Sequence, residues 1–216
     1  MNYPIQVNGI SVSYGNNLVL TNIHLDIEAG NVIGVVGPNG AGKSTLFKAI
    51  LGLIDLDAGD ISVFNNNVDN VREKIAYVPQ SDDVDWTFPA TVIDVVMLGR
   101  YPFKKVWQKM NAKDHEIAMK ALQEVGISDL ANRQIGELSG GQKQRTFIAR
   151  AICQDADLLM LDEPFVGVDM TTEVQIIRLM KKLADSEKTI LVVHHDLSTV
   201  QSYFDEVILL NQHLIA

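Results

Sequence analysis

The sequence predicts an α/β fold with three parts: a mostly parallel sheet core, an N-terminal antiparallel β subdomain and an inserted helical subdomain. Three observations carry this. The first thirty residues alternate and turn often, as antiparallel strands do. Later apolar runs of strand length alternate with stretches of helical spacing, the pattern of a parallel sheet with crossover helices. Between them, residues 90–150 read as mostly helical. The chain is then one domain over 1–216, with the core and β subdomain in about 1–89 and 153–216 and the helical subdomain in about 90–152.

Taken in order, Ile5-Gln6-Val7, Val12-Ser13-Tyr14 and the run from Ile23 to Ile27 read as short strands, with a hairpin at Gly15-Asn16-Asn17. Val32–Val36 is continuous and β-branched, so a buried strand. Residues 37–42 break it. Residues 44–53 have helical spacing, with Leu46, Phe47, Ile50 and Leu51 on one stripe. Residues 61–64 and 75–78 are further strands. Ile117, Ala118, Ala121, Leu122 and Val125 form one helical face, ended by Gly126 as a cap. Strands return at 158–161, 190–193 and 207–210. Between the first two, Val174, Ile177, Lys181 and Ala184 follow helix spacing. No closing helix is read after the last strand.

Hydrophobic residues make up 47% of the 216 and charged residues 21%, enough to build a core without staples. The net charge of −9 argues against a nucleic-acid partner. The single Cys153 suits a reducing compartment and reads as a buried structural thiol. The first ten residues lack a basic and an apolar region, so no secretory signal is expected. No apolar run approaches membrane-span length.

The chemistry begins at Gly37-Pro38-Asn39-Gly40-Ala41-Gly42-Lys43-Ser44, followed by Thr45. This fits G-x-x-x-x-G-K-[ST], the P-loop, between a buried strand and a helix. Glycines let backbone N–H groups wrap a phosphate, and the helix N-terminus adds positive potential. Lys43 can reach the β- and γ-phosphates, and Ser44 can ligate Mg²⁺. The expected ligand is a nucleoside triphosphate, ATP, on a RecA-like core. A strand through Leu161 then ends in Asp162 and Glu163. Asp162 is a candidate Mg²⁺ holder and Glu163 a candidate base for the attacking water. The plain alternative is a solvated strand end. Ser139-Gly140-Gly141-Gln142 opens another helix, with Ser139 as N-cap candidate. It could be only a helix start, or a second phosphate site.

These motifs occur in a telling order: P-loop, a lone Gln80, LSGGQ at 138–142, LLMLDEP, Gly167-Val168-Asp169 and His195. Nearly the whole chain thereby resembles the nucleotide-binding subunit of an ABC transporter. The resemblance implies that Tyr14 stacks on adenine, though strands favour tyrosine anyway. It implies that Gln80 contacts Mg²⁺ and the attacking water, although Gln80 could be a plain loop residue. It implies that Ser139 and Gly141 touch the γ-phosphate on a second copy, that Asp169 lies at the dimer seam, and that His195 contacts the γ-phosphate. Of the doublet His194-His195, His195 stands before Asp196 as in the family; the other is read as structural. His24, His115 and His213 show no ligand spacing.

The resemblance further implies a head-to-tail homodimer with two ATPs, peripheral on the cytoplasmic face of the cell membrane. Separate permease subunits would dock between Gln80 and Tyr101. There Trp86 and Phe88, among Asp82, Asp83 and Asp85, read as a rim site; Val92, Val96 and Met97 could be groove or plain core. This stretch, DEPFVGVD and the histidine doublet resemble importers of manganese first, zinc or iron next, served by an extracytoplasmic metal-binding protein. Siderophore or haem importers are the alternative. A soluble ABC ATPase is disfavoured, because no second cassette, coiled coil or basic extension is present. A non-hydrolysing module is disfavoured by the intact Glu163 and His195.

Overall fold

A computed structural model describes residues 3–81, 84–105 and 107–215; Asp82 and Asp83 lie outside the described residues. The N-terminal hairpin is longer than its alternation suggests. β1 (Ile5–Tyr14) and β2 (Asn17–Ile27) pair antiparallel from Ile5↔Ile27 to Tyr14↔Asn17, with bulges between. The bulges break the strict alternation, so the sequence shows fragments where the structure has two continuous strands. β4 (Ala58–Val63) adds to the other edge of β1, giving the order β2-β1-β4.

The second sheet has six strands in the order β5-β6-β7-β3-β8-β9. They are β3 (Val32–Val36), β5 (Ile75–Val78), β6 (Leu158–Asp162), β7 (Thr189–His194), β8 (Glu206–Asn211) and β9 (His213–Leu214). All pairs are parallel except β8–β9. β9 is the strand the sequence did not announce; at two residues it is too short for periodicity. Strands β3, β6 and β7 are buried throughout, which is why they read as unbroken apolar runs.

Two cores flank this sheet. On one face α1 (Lys43–Ile50) buries Leu46, Phe47 and Ile50 between the parallel strands and the antiparallel sheet. On the other face α5 (Met170–Ala184) packs together with α2 (Val92–Met97), α3 (Ala112–Glu124) and α4 (Gly140–Gln154). A last short helix, α6, covers Val200–Tyr203. α5 buries Ile176, Ile177, Met180, Leu183 and Ala184, whereas Val174 is 38% exposed. The stripe is thus rotated from the spacing first read, and the Lys181 ammonium donates outward to the Ser202 carbonyl at 3.1 Å. Cys153 is buried, and burial pushes its thiol up to about 11, so it is inert.

A nucleotide cleft and a remote signature loop

β3 ends inside the sheet and delivers the chain to the loop at 37–42. Gly42 has φ 94°, and a Cβ there would sit 2.6 Å from Leu20 Cδ2. Only glycine satisfies both the conformation and the space. The Ala41 carbonyl accepts from the Gln212 amide at 2.9 Å, which ties the loop to the end of β8. The Lys43 ammonium is buried and donates to the carbonyls of Gly37 at 2.8 Å and Pro38 at 3.0 Å, bracing the loop from within. Burial pushes Lys43 below its ordinary range, and the carboxylates of Glu163 and Asp162 act against that.

β6 runs next to β7 and sets Asp162, itself buried, beside the loop. The Ser44 hydroxyl lies 3.3 Å from Asp162 Oδ1, and the Tyr77 hydroxyl 3.5 Å from Asp162 Oδ2. A hydroxyl and a carboxylate oxygen converging at a helix N-terminus are the hard donors that Mg²⁺ takes. The next residue, Glu163, has φ 48°, a conformation that costs of order 1–3 kcal/mol for a non-glycine residue. It turns the chain sharply off the sheet. The Gln80 amide donates to Glu163 Oε2 at 3.3 Å.

Lys43, Ser44, Gln80 and Glu163 line one cleft of about 530 Å³, together with Tyr14, Asn39, Gly40, Ala41, Gly42 and Thr45, with Asp162 behind Ser44. Tyr14 ends β1 half-exposed, at the cleft wall. Asn17 and Val19 of β2 also line it. Sequence reading missed both as cleft residues; their only signal was their place at the end of the hairpin and just after it. Tyr77 was missed too, although it lies on β5, three residues before Gln80.

Ser139, Gly140, Gly141, Gln142, Asp169 and His195 do not line this cleft. Ser139 caps α4. Its hydroxyl accepts from the Gln142 amide at 3.4 Å, and Gln142 Oε1 accepts from the Ser139 amide at 3.0 Å. This is the reciprocal box that S-x-x-Q encodes, a signal open to the sequence but unread. A Cβ on Gly140 would meet the Gly167 carbonyl at 2.6 Å, so the signature loop packs against the turn after β6. Asp169 caps α5, accepting from the Thr172 amide at 3.0 Å and hydroxyl at 2.7 Å. The hydroxyl bond, with the amide bond behind it, holds this carboxyl below the usual range.

His194 is buried and His195 exposed. His194 Nε2 pairs with the Thr199 hydroxyl at 2.8 Å, and its ring packs edge-on against Phe165 at 5.5 Å. Among the described residues no cluster of histidine, cysteine or carboxylate side chains is arranged to hold a metal. In the docking stretch, Phe88 is 64% exposed, as a rim residue would be. Trp86 is half-buried: it packs edge-on against Phe147 at 5.2 Å, under the Lys143 ammonium at 4.8 Å. Val92 and Val96 are core and Met97 packs against it, so the groove reading fails for these three, because α2 turns its apolar face to α4.

Strand, phosphate loop, buried lysine and a strand-end Asp-Glu pair define a P-loop nucleotide hydrolase. The family model for ABC transporters matches residues 20–166, and the chain belongs to that family as an ATP-binding, ATP-hydrolysing subunit. It is 49% identical to the manganese transport system ATP-binding protein MntB of Listeria monocytogenes, covering 98% of this chain and 88% of that protein. It is 48% identical to the zinc transport system ATP-binding protein TroB of Treponema pallidum, over 99% and 80%. A structure described as a metal-chelate type ABC transporter, inward-facing, superposes with TM-score 0.87 at 30% identity, over 98% and 81%. A dimeric ATP-binding cassette in a post-hydrolysis state, bound to ADP and Pi, gives 0.84 at 26%, over 98% and 97%.

Proposed function

We propose that two copies of this chain, head to tail, hydrolyse ATP to drive import of a transition-metal ion through separate permease subunits. Manganese is the first candidate, zinc or iron next. One observation carries the two-copy reading: the phosphate loop and the signature loop lie in one chain, yet only the first lines the cleft. The dimeric ADP-bound relative supports the same arrangement. Near 49% identity to manganese and zinc transport subunits over almost the whole chain supports the cargo. The metal-chelate likeness favours a siderophore or haem cargo, at 30% identity and therefore second. Among the described residues no helix is long and apolar enough to cross a membrane. Peripheral attachment at the cytoplasmic face, with an extracytoplasmic metal-binding protein on the other side, completes the reading.

Each residue then has a task. Tyr14 stacks on the adenine. The backbone from Gly37 to Thr45 wraps the phosphates, and Lys43 moves from its two carbonyls to the β- and γ-phosphates. Ser44 and Asp162, with Gln80, would hold Mg²⁺, which would supply positive charge against the phosphates. Glu163 takes the proton of the attacking water. Gln80 orients Glu163 and reports on the permease side. Ser139, Gly140, Gly141 and Gln142 of the second copy close over the γ-phosphate with helix N–H groups. Asp169 shapes the seam, and His195 approaches the γ-phosphate while buried His194 anchors its strand.

The test is Mg²⁺-dependent ATP turnover, paired with metal uptake in a strain lacking the gene. Turnover together with restored manganese uptake supports the proposal. Turnover with restored chelate uptake moves the cargo, and no turnover defeats it.

A further inference from the structure

The chain carries a net charge of −9, but residues 100–113 contain Arg100, Lys104, Lys105, Lys109 and Lys113 and no acid. The same stretch holds Tyr101, Phe103 and Trp107. Two of the five cations turn inward: Lys104 pairs with buried Asp114, and Arg100 lies 3.6 Å from it and bonds the Cys153 carbonyl at 3.0 Å. The other three lysines are exposed and form no ion pair within 4 Å among the described residues, although Lys113 attracts the exposed Glu116 carboxylate nearby. The rings project rather than fill a core. Tyr101 is 58% exposed, Phe103 46% and Trp107 93%.

This surface stands on a firm base. The 3₁₀ turn Leu98–Phe103 packs on α4 so tightly that a Cβ on Gly99 would meet the Arg150 carbonyl at 2.3 Å. The Arg100 guanidinium lies 4.4 Å over the Phe103 ring and holds it outward. Exposed rings interleaved with exposed lysines match the layer where lipid headgroups meet water. The sign of the charge matters too. On a protein of net negative charge, a basic patch is where an anionic bilayer is attracted rather than repelled. A coupling helix from a permease would instead need a recess that these projecting rings do not offer.

We propose that Tyr101, Phe103 and Trp107 with Lys105, Lys109 and Lys113 bind the anionic headgroup face of the membrane directly, beside the permease. This rests on the reading of the chain as a subunit that works at a membrane. Trp107 enters the headgroup layer, and the three lysines supply the attraction, roughly fivefold in affinity each.

The full chain is mixed with phosphatidylcholine vesicles with and without phosphatidylserine, at low and high salt, and bound protein is sedimented. Binding should require phosphatidylserine, fall at high salt, and shift Trp107 emission to the blue, a shift lost in Trp107→Phe. The triple Lys→Gln variant, which adds no repulsion, should lose on the order of a hundredfold in vesicle affinity. K105E/K109E/K113E should lose more. Both should hydrolyse ATP as the parent does, which shows that they fold. Binding indifferent to phosphatidylserine, or unchanged in both triple variants, overturns the proposal. So does loss of permease capture without loss of vesicle binding, which would assign the surface to the permease. Turnover is read on the same samples, so failed lipid binding with intact turnover sinks this inference alone. Intact lipid binding without turnover sinks the ATPase reading alone.

Discussion

The side-chain amide of Gln80 donates to the Glu163 carboxylate at 3.3 Å. The two residues follow adjacent parallel strands, β5 and β6, which pair through Val78↔Leu161. Gln80 also begins the stretch that leads to the exposed Phe88. The sensing role proposed for Gln80 would reach the candidate base through this one hydrogen bond. Gln80→Ala should lower turnover ~10- to 100-fold, the worth of a hydrogen bond to a charged group, with ATP affinity little changed. Single-turnover kinetics beside nucleotide titration separates the two; an equal loss in both would place Gln80 in binding instead.

Lys43 spends its charge on the Gly37 and Pro38 carbonyls in this state. Replacing it removes both the brace and the phosphate contact. Lys43→Ala should weaken ATP binding at least ~10-fold, since charge-assisted bonds are worth about 1.5–3 kcal/mol. Calorimetric titration with ATP reads this directly. Parent-like affinity would remove Lys43 from the site.

Burial pushes His194 below its ordinary range, with His195 acting in the same direction. A base depressed in the folded state is protonated more readily when unfolded. Stability from this group is therefore full above the unfolded value, near pH 6.5, and is lost as pH falls below it. Thermal midpoints should drop from neutral toward pH 5.5, and His194→Gln should flatten that slope. A slope unchanged by the substitution would mean that other groups set it.

Gly34 sits mid-strand in β3 with the Phe204 ring where a side chain would go, its Cδ2 2.5 Å from an added Cβ. Gly34→Ala overpacks the sheet beneath the phosphate loop. The expected cost is about 1–3 kcal/mol, or roughly 2–4 °C per kcal/mol in a chain of this size. A melting curve that overlays the parent's would show that Phe204 has room to yield.

How far the sequence reached can be judged from particular residues. The phosphate loop, the strand into Asp162-Glu163 and Ser139 as a cap were all legible, because each is encoded within a few neighbouring positions. The pairing of Ile5 with Val63 was not, since periodicity reports which face is buried and not which strand covers it. Gly140 against Gly167 was hidden for the same reason. Val92 and Val96 could be groove or core until α4 was seen to cover them. The tasks given to Gln80, Asp169 and His195 came from a family resemblance. The structure adds a partner for Gln80, a capping role for Asp169 and, for His195, an exposed position outside the cleft.

The central claim is that a second copy completes the cleft, and sedimentation of a slowed variant tests it most directly. Glu163→Gln should cut hydrolysis by ~10²–10⁴ and so hold ATP long enough to see its assembly. With ATP and Mg²⁺ this variant should sediment as a dimer, and as a monomer without nucleotide. Adding Ser139→Arg, which puts bulk and charge where the γ-phosphate of the other copy belongs, should return it to monomer with ATP still bound. A monomer under all conditions, or a dimer indifferent to Ser139→Arg, would contradict the shared site.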